Sequence, residues 1–183
     1  MDIDGGAGID TAVFSSPRLD YTLTKSANGY TISGAGGPDG AVTLSNIERL
    51  KFSDISVALD LDGNAGKVAK ILGAVFGAAS IARKDFVGAG LSIIDGGMSY
   101  EDLCALAVKA AGKTTHADIV DLLWGNVVGG SIPTDQKADF VGLLDNGMAI
   151  GKLTSIVADT SLNTDNIGLI GLTQTGIEYV PVG

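Results

Sequence analysis

The spacing of apolar residues changes character once along this chain of 183 residues. From Thr11 to Leu61 the period is two. Tyr21 and Leu23 alternate with threonines, and Tyr30 and Ile32 follow an Ala27-Asn28-Gly29 turn. Val42 and Leu44, then Leu50 and Phe52, then Ile55, Val57 and Leu59 carry the alternation on. Such runs, separated by Gly, Asn and Pro, predict roughly five antiparallel strands. Residues 34–40, rich in glycine and containing Pro38, read as a loop. The phase slips between Leu44 and Leu50, which predicts a bulge or bend near Ser45-Asn46.

After Asp60 the period becomes that of a helix. Val68, Ile71, Leu72, Val75 and Phe76 form one amphipathic stripe, with Asn64 as its expected cap. Further helices are predicted over residues 83–95, 99–111, 116–128, 134–146 and 151–158, with a weaker one over 165–174. Ser99 with Asp102 and Thr134 with Lys137 are incomplete capping boxes. The tail, residues 178–183, reads as extended because Pro181 bars a helix interior. We expect that tail, lying beyond the last periodic helix, to be dispensable for folding.

The helical part also repeats. Asp85-Phe86-Val87-Gly88 recurs as Asp139-Phe140-Val141-Gly142, Gly97-Met98 as Gly147-Met148, and Leu103 matches Leu153. Gly73-x-Val75-Phe76-Gly77 corresponds to Gly125-x-Val127-Val128-Gly129. Two copies, residues 67–111 and 118–160, are each too small to bury their apolar stripes alone and should pack on each other. The expected fold is therefore α+β. A small β region over residues 1–62, the end of a β-roll with antiparallel strands, packs on an all-helical domain over 63–183 made of two three-helix repeats.

Composition narrows the function. A net charge of −9 leaves no basic stripe to neutralise phosphates, which argues against nucleic acid. Cys104 is the only cysteine, flanked by apolar residues, and reads as a buried inert thiol. Met1-Asp2-Ile3-Asp4 has the features of no secretory leader, and no apolar stretch reaches the length of a membrane span.

The most specific chemistry lies in Gly5-Gly6-Ala7-Gly8-Ile9-Asp10-Thr11-Ala12-Val13, which fits the nonapeptide pattern G-G-x-G-x-D-x-U-x, U being apolar. The glycines permit a tight turn that brings carbonyl oxygens inward, Asp10 offers a hard anionic oxygen of the kind calcium prefers, and Ala12 would enter the core. Ile3 falls where a preceding repeat would place its apolar U residue, and Met1 where it would carry its Asp. This run, with Asp20-Tyr21-Thr22-Leu23 and the stretch Leu44-Ser45-Asn46-Ile47-Glu48-Arg49-Leu50-Lys51-Phe52-Ser53-Asp54, resembles the segment that closes an array in RTX-type secreted bacterial proteins. Val57-Ala58-Leu59-Asp60-Leu61-Asp62-Gly63-Asn64-Ala65-Gly66 is similar to the junction leading into an uncharacterised helical repeat domain that commonly follows such arrays. The resemblance spans nearly the whole chain, its motifs concentrated in residues 5–66. Where the family usually shows Tyr and Trp after the first helix of each repeat, Phe86 and Phe140 stand here.

The resemblance implies a secreted, extracellular or cell-surface protein. Calcium, held at Gly6, Gly8 and Asp10, would link metal to folding. It also implies type I export through an uncleaved C-terminal signal, to which Glu178-Tyr179-Val180-Pro181-Val182-Gly183 is similar. Other candidates have simpler readings. His116 is the sole histidine, at a helix start, and with one Cys and no G-x-S-x-G elbow no nucleophile constellation or zinc site assembles. Asp60-x-Asp62-x-Asn64 imitates an EF-hand start, yet Ala65 and Ile71 stand where Gly and Glu are needed. Glu101-Asp102 and the pair Asp118 and Asp121 fit paired glycosidase carboxylates or, more simply, helix N-terminal charges. Trp124 reads as core packing or as a sugar-stacking platform. The expected function is a non-catalytic C-terminal module of an RTX-type protein, the rival being an adhesion or surface-layer module that binds a glycan or protein partner.

Overall fold

Arg49 and Leu50 are neighbours in one short strand and face opposite ways, and both are buried. Leu50 enters a β core, while Arg49 points to the helices. In the computed structural model, which describes residues 1–34 and 41–182, that alternation separates two cores.

The β region is a pair of facing four-stranded sheets. One has the order β1-β5-β4-β3, from Asp2–Asp4 (β1), Ala41–Ser45 (β5), Gly29–Gly34 (β4) and Tyr21–Ser26 (β3). The other runs β2-β6-β7-β8, from Thr11–Val13 (β2), Arg49–Lys51 (β6), Ser56–Ala58 (β7) and Ile177–Tyr179 (β8). Ala12, Ile32, Leu44, Leu50 and Val57 meet between the sheets, with Phe14, Tyr21 and Phe52 in mutual ring contact at one end. Ala12 thus enters the core, as its place in the nonapeptide requires.

The strand directions differ in part from the pattern reading. The strands are not all antiparallel: β1 lies parallel to β5, and β2 parallel to β6. The slip near Ser45-Asn46 is the expected bend, and it is a corner rather than a bulge. Asn46 takes a left-handed φ of 52° and the chain crosses from one sheet to the other, so the alternation restarts on a new surface. The loop read over residues 34–40 lies outside the described residues except for Gly34, which ends β4.

The α-helices begin at Asn64, within the predicted junction, and one 3-10 turn, Arg18–Asp20, precedes them in the β region. The expected caps are supplied differently: Asn64 is the first helical residue of α1 (Asn64–Phe76), and Asp60 Oδ2 accepts from the N–H groups of Asn64 and Ala65. The first unit continues with α2 (Lys84–Asp95) and α3 (Tyr100–Ala110), the second with α4 (His116–Val127), α5 (Thr134–Asp145) and α6 (Ile150–Ala158). Ser99 caps α3 as its box predicts, whereas α5 follows Pro133 without a side-chain cap. The units pack through α3 on α6 and through α1 on α4 and α6, and Asn126 of α4 donates to the Ala74 carbonyl at 3.1 Å. The weak helix predicted over 165–174 is two, α7 (Ser161–Asn166) and α8 (Leu169–Thr175), parted where Gly168 turns left-handed.

The repeat is present in the fold, in a register that corrects one sequence match. Asn64, first in α1, donates to Asp95, last in α2, at 2.9 Å. His116, first in α4, contacts Asp145, last in α5, at 2.6 Å. The turns after α2 and α5 match too: Gly97 and Gly147 have φ of 100° and 97°, and Met98 and Met148 donate to Ile93 and Leu143. These equivalences align α2 with α5 at an offset of 50, so the Asp-Phe-Val-Gly blocks, offset by 54, lie one helical turn out of register.

The tail is extended, as its sequence predicts, but it is not peripheral. Ile177 is 3% exposed and sits in the helical core, β8 pairs with β7, and the Val180 N–H donates to the Lys84 carbonyl. An apolar face with a free strand edge beside it is a place to be filled, and the alternating tail fills it. Ile177→Ala is therefore expected to cost about 2–5 kcal/mol. Deleting residues 177–183 is expected to broaden or abolish cooperative urea unfolding, measured by circular dichroism.

Cys104 is fully buried, with Leu103 and Val108 in the same cluster. Burial, with Asp159 and Glu101 nearby, pushes its thiol up from 9.0 to about 12. An unfolded thiol ionises first, so this contribution to stability is complete below about pH 9 and is lost as pH rises toward 12. Ellman's reagent at pH 8 is expected to leave Cys104 unmodified until denaturant is added.

Candidate functional site

The glycine loop, residues 5–10, connects β1 to β2 and lies over Asn46, Ile47 and Glu48, which connect β5 to β6. The two turns stack in parallel register, Asp2–Asp4 on Thr43–Ser45 and Thr11–Val13 on Arg49–Lys51. Glycine is required here for two reasons. Gly6 and Gly8 have φ of 84° and 125°, and a Cβ on Gly5 would fall 2.1 Å from the Asn46 carbonyl oxygen and 2.6 Å from Asp10 Cβ.

Asp10 is locked by its backbone. Its N–H donates to Glu48 Oε2 at 2.9 Å, and its carbonyl accepts from the N–H groups of Glu48 and Arg49. Its Oδ2 is buried with no hydrogen-bond partner among the described residues. A carboxylate oxygen in that condition favours a cation or a donor brought from outside. Asp4 holds the other end of the loop, accepting from Asn46 Nδ2 at 2.8 Å and from the Gly6 N–H at 3.1 Å, which keep its carboxyl below the usual range. Asp4, Asn46 and Glu48 were not singled out as site residues from sequence. The Asp4-Gly5-Gly6 order, an Asx turn onto the residue two ahead, was the available signal for the first.

Of the metal set Gly6, Gly8 and Asp10, the two glycines are exposed while the Asp10 carboxylate keeps one oxygen buried in the same loop. Among the described residues no three His, Cys, Asp or Glu side chains gather closely enough to hold a metal. Calcium takes six to eight oxygens, so this turn alone supplies part of a cage.

Two members of the Asp60-Asp62-Asn64 motif, Asp60 and Asn64, are engaged in structural contacts. Arg49 is 3% exposed, and its guanidinium pairs with Asp60 and, at 2.8 and 3.0 Å, with both oxygens of Asp95. Burial opposes that charge, yet the two carboxylates hold the guanidinium above its ordinary value. Removing one partner of a buried pair strands the other charge, so Arg49→Ala is expected to lower stability by about 3–5 kcal/mol in a urea titration.

The remaining candidates are tied into local contacts. Asp102 accepts from Ser99 Oγ in the α3 cap, and Glu101 pairs with Lys152 at 3.0 Å. Asp118 N–H donates to the Thr115 cap, and Asp121 pairs with Lys137 at 2.6 Å. Trp124 is half-buried against Val120, Leu123, Phe140 and Leu153, surroundings that give a sugar little to hydrogen-bond. No described helix is long and apolar enough to cross a membrane. No protein-family model, curated protein or solved structure matches the chain.

Proposed function

We propose that this chain is a non-catalytic module of an RTX-type extracellular protein: the closing turn of a calcium-binding β-roll mounted on a helical repeat pair, folded by calcium after type I export. The observation that carries this reading is the stacked pair of parallel turns with a buried, unpartnered Asp10 Oδ2 in its glycine loop. β1 and β2 are each the outermost strand of their sheet, so the outer edge of this turn has the backbone groups to pair one more turn of the same kind. Such a turn would bring the missing oxygens to the loop. The burial of Ile177 supports export before folding, since a tail read by an exporter must be extended and free at that moment. Calcium-poor surroundings would keep it so.

Titration calorimetry tests the reading. The chain of 183 residues is expected to bind calcium at roughly 10⁻⁴–10⁻³ M or more weakly. Adding two nonapeptide repeats ahead of Met1 should tighten binding and raise the midpoint of thermal unfolding in calcium. Asp10→Ala should remove that gain. Micromolar binding that survives Asp10→Ala in the short chain would overturn the assignment.

A further inference from the structure

We infer that each three-helix unit carries a cup for a small uncharged hydrocarbon ligand, two cups per chain, independent of the calcium reading. Two half-open cavities, of about 280 Å³ in the first unit and 170 Å³ in the second, occupy equivalent places. Ile71, Leu72 and Phe76 of α1 line the first, and Leu123, Trp124 and Val128, at the same positions of α4, line the second. From the third helix of each unit come Leu103 and Ala107, matched by Leu153 and Val157. Helix ends fixed by the Asn64–Asp95 and His116–Asp145 contacts set this correspondence without reference to the cavities. A packing gap arising by accident would have no reason to recur on the same residues of both copies.

The lining selects the ligand. No charged side chain faces either cavity, and Thr160 in the second offers the one hydroxyl. A polar or ionised molecule would lose its water there and gain no partner, so binding favours hydrocarbon. An apolar cavity of about 150 Å³ already holds a benzene-sized molecule, and both cups are larger. The mouths are apolar as well: Leu106 is 38% exposed at the first, and Val128 and Leu162 are 49% and 45% exposed at the second. The difference in size has a local cause. Gly90 of α2, packed so closely on Val68 that a Cβ would not fit, aligns with Phe140 of α5, whose ring lines the second cup and takes up part of its space. The first cup therefore encloses a ring with a short chain and the second a single ring, and the remainder of a larger hydrocarbon extends through the open, apolar mouth.

Fluorescence titration of the full chain with N-phenyl-1-naphthylamine tests this, because the one tryptophan, Trp124, lines the second cup only. Saturable binding of two dyes per chain is expected, with quenching of Trp124 by the dye in the second cup. Short n-alkanols should displace the dye about fourfold more strongly for each added methylene until the cup is full, after which the gain stops. Ala110→Arg and Val128→Arg place a charge at the two exposed mouths and should each remove one site, the second also removing the quenching. Unchanged thermal unfolding of both variants shows that the fold is kept; a variant that unfolds is replaced by Ala110→Gln or Val128→Gln. The inference is overturned if dye uptake does not saturate, or if the double variant binds as the parent does. It is overturned equally if sedimentation shows Val128→Arg abolishing a dimer of this chain, the mouths then being covered by a second copy.

Discussion

A single guanidinium, taken out of water and placed between two carboxylates, ties the strands to the helices beside their shared apolar contacts. Arg49 comes from a β-strand, Asp60 from the junction and Asp95 from the end of α2, so the three charges join all three parts. Such a triad adds little net stability over a well-packed apolar substitute, but it tolerates few alternative arrangements. Asp60 serves twice, since its second oxygen caps α1. The switch from strand to helix and the docking of the sheet on the helices are thereby one event, set by one side chain.

The same place in the second unit is used more lightly. His116 and Asp145 repeat the contact of Asn64 with Asp95, but at the surface and without an arginine. An exposed pair of this kind contributes up to about 1 kcal/mol, whereas the buried one resists removal of either partner. The two copies have thus diverged in role. One bears the β region, and the other has kept the bare hinge between its first and second helices. Their apolar interiors have stayed closer to each other than their polar ends.

The parts of the fold that follow from periodicity were legible. Ala12, Leu50 and Val57 alternate inward, and Val68, Ile71, Leu72 and Val75 bury one stripe, because a side chain's direction is fixed by the local backbone. The antiparallel expectation failed for β1 and β2 because a pattern of apolar residues does not say which strand lies alongside. Their partners are about 40 residues away. Arg49 was passed over for a related reason: a charge at an alternating position reads as solvent-facing unless the carboxylates that bury it, 11 and 46 residues later, are known. Of the candidate site, Gly6, Gly8 and Asp10 announced themselves through a motif. Asp4 and Glu48, which hold the loop through side-chain hydrogen bonds, carry no such signature.

The pairing of β8 with β7 sets the order in which the molecule can form. Val57 and Glu178 are partners in that ladder although about 120 residues separate them. Bringing such distant segments together costs chain entropy that local helical contacts do not. The two helical units can condense first and carry the last residues back to within reach of the sheet. Until that happens β7 presents a free edge, with backbone groups that any extended segment can pair. The final strand is therefore a closing latch, and a chain whose last residues are still held elsewhere waits, nearly folded, with one sheet unsealed.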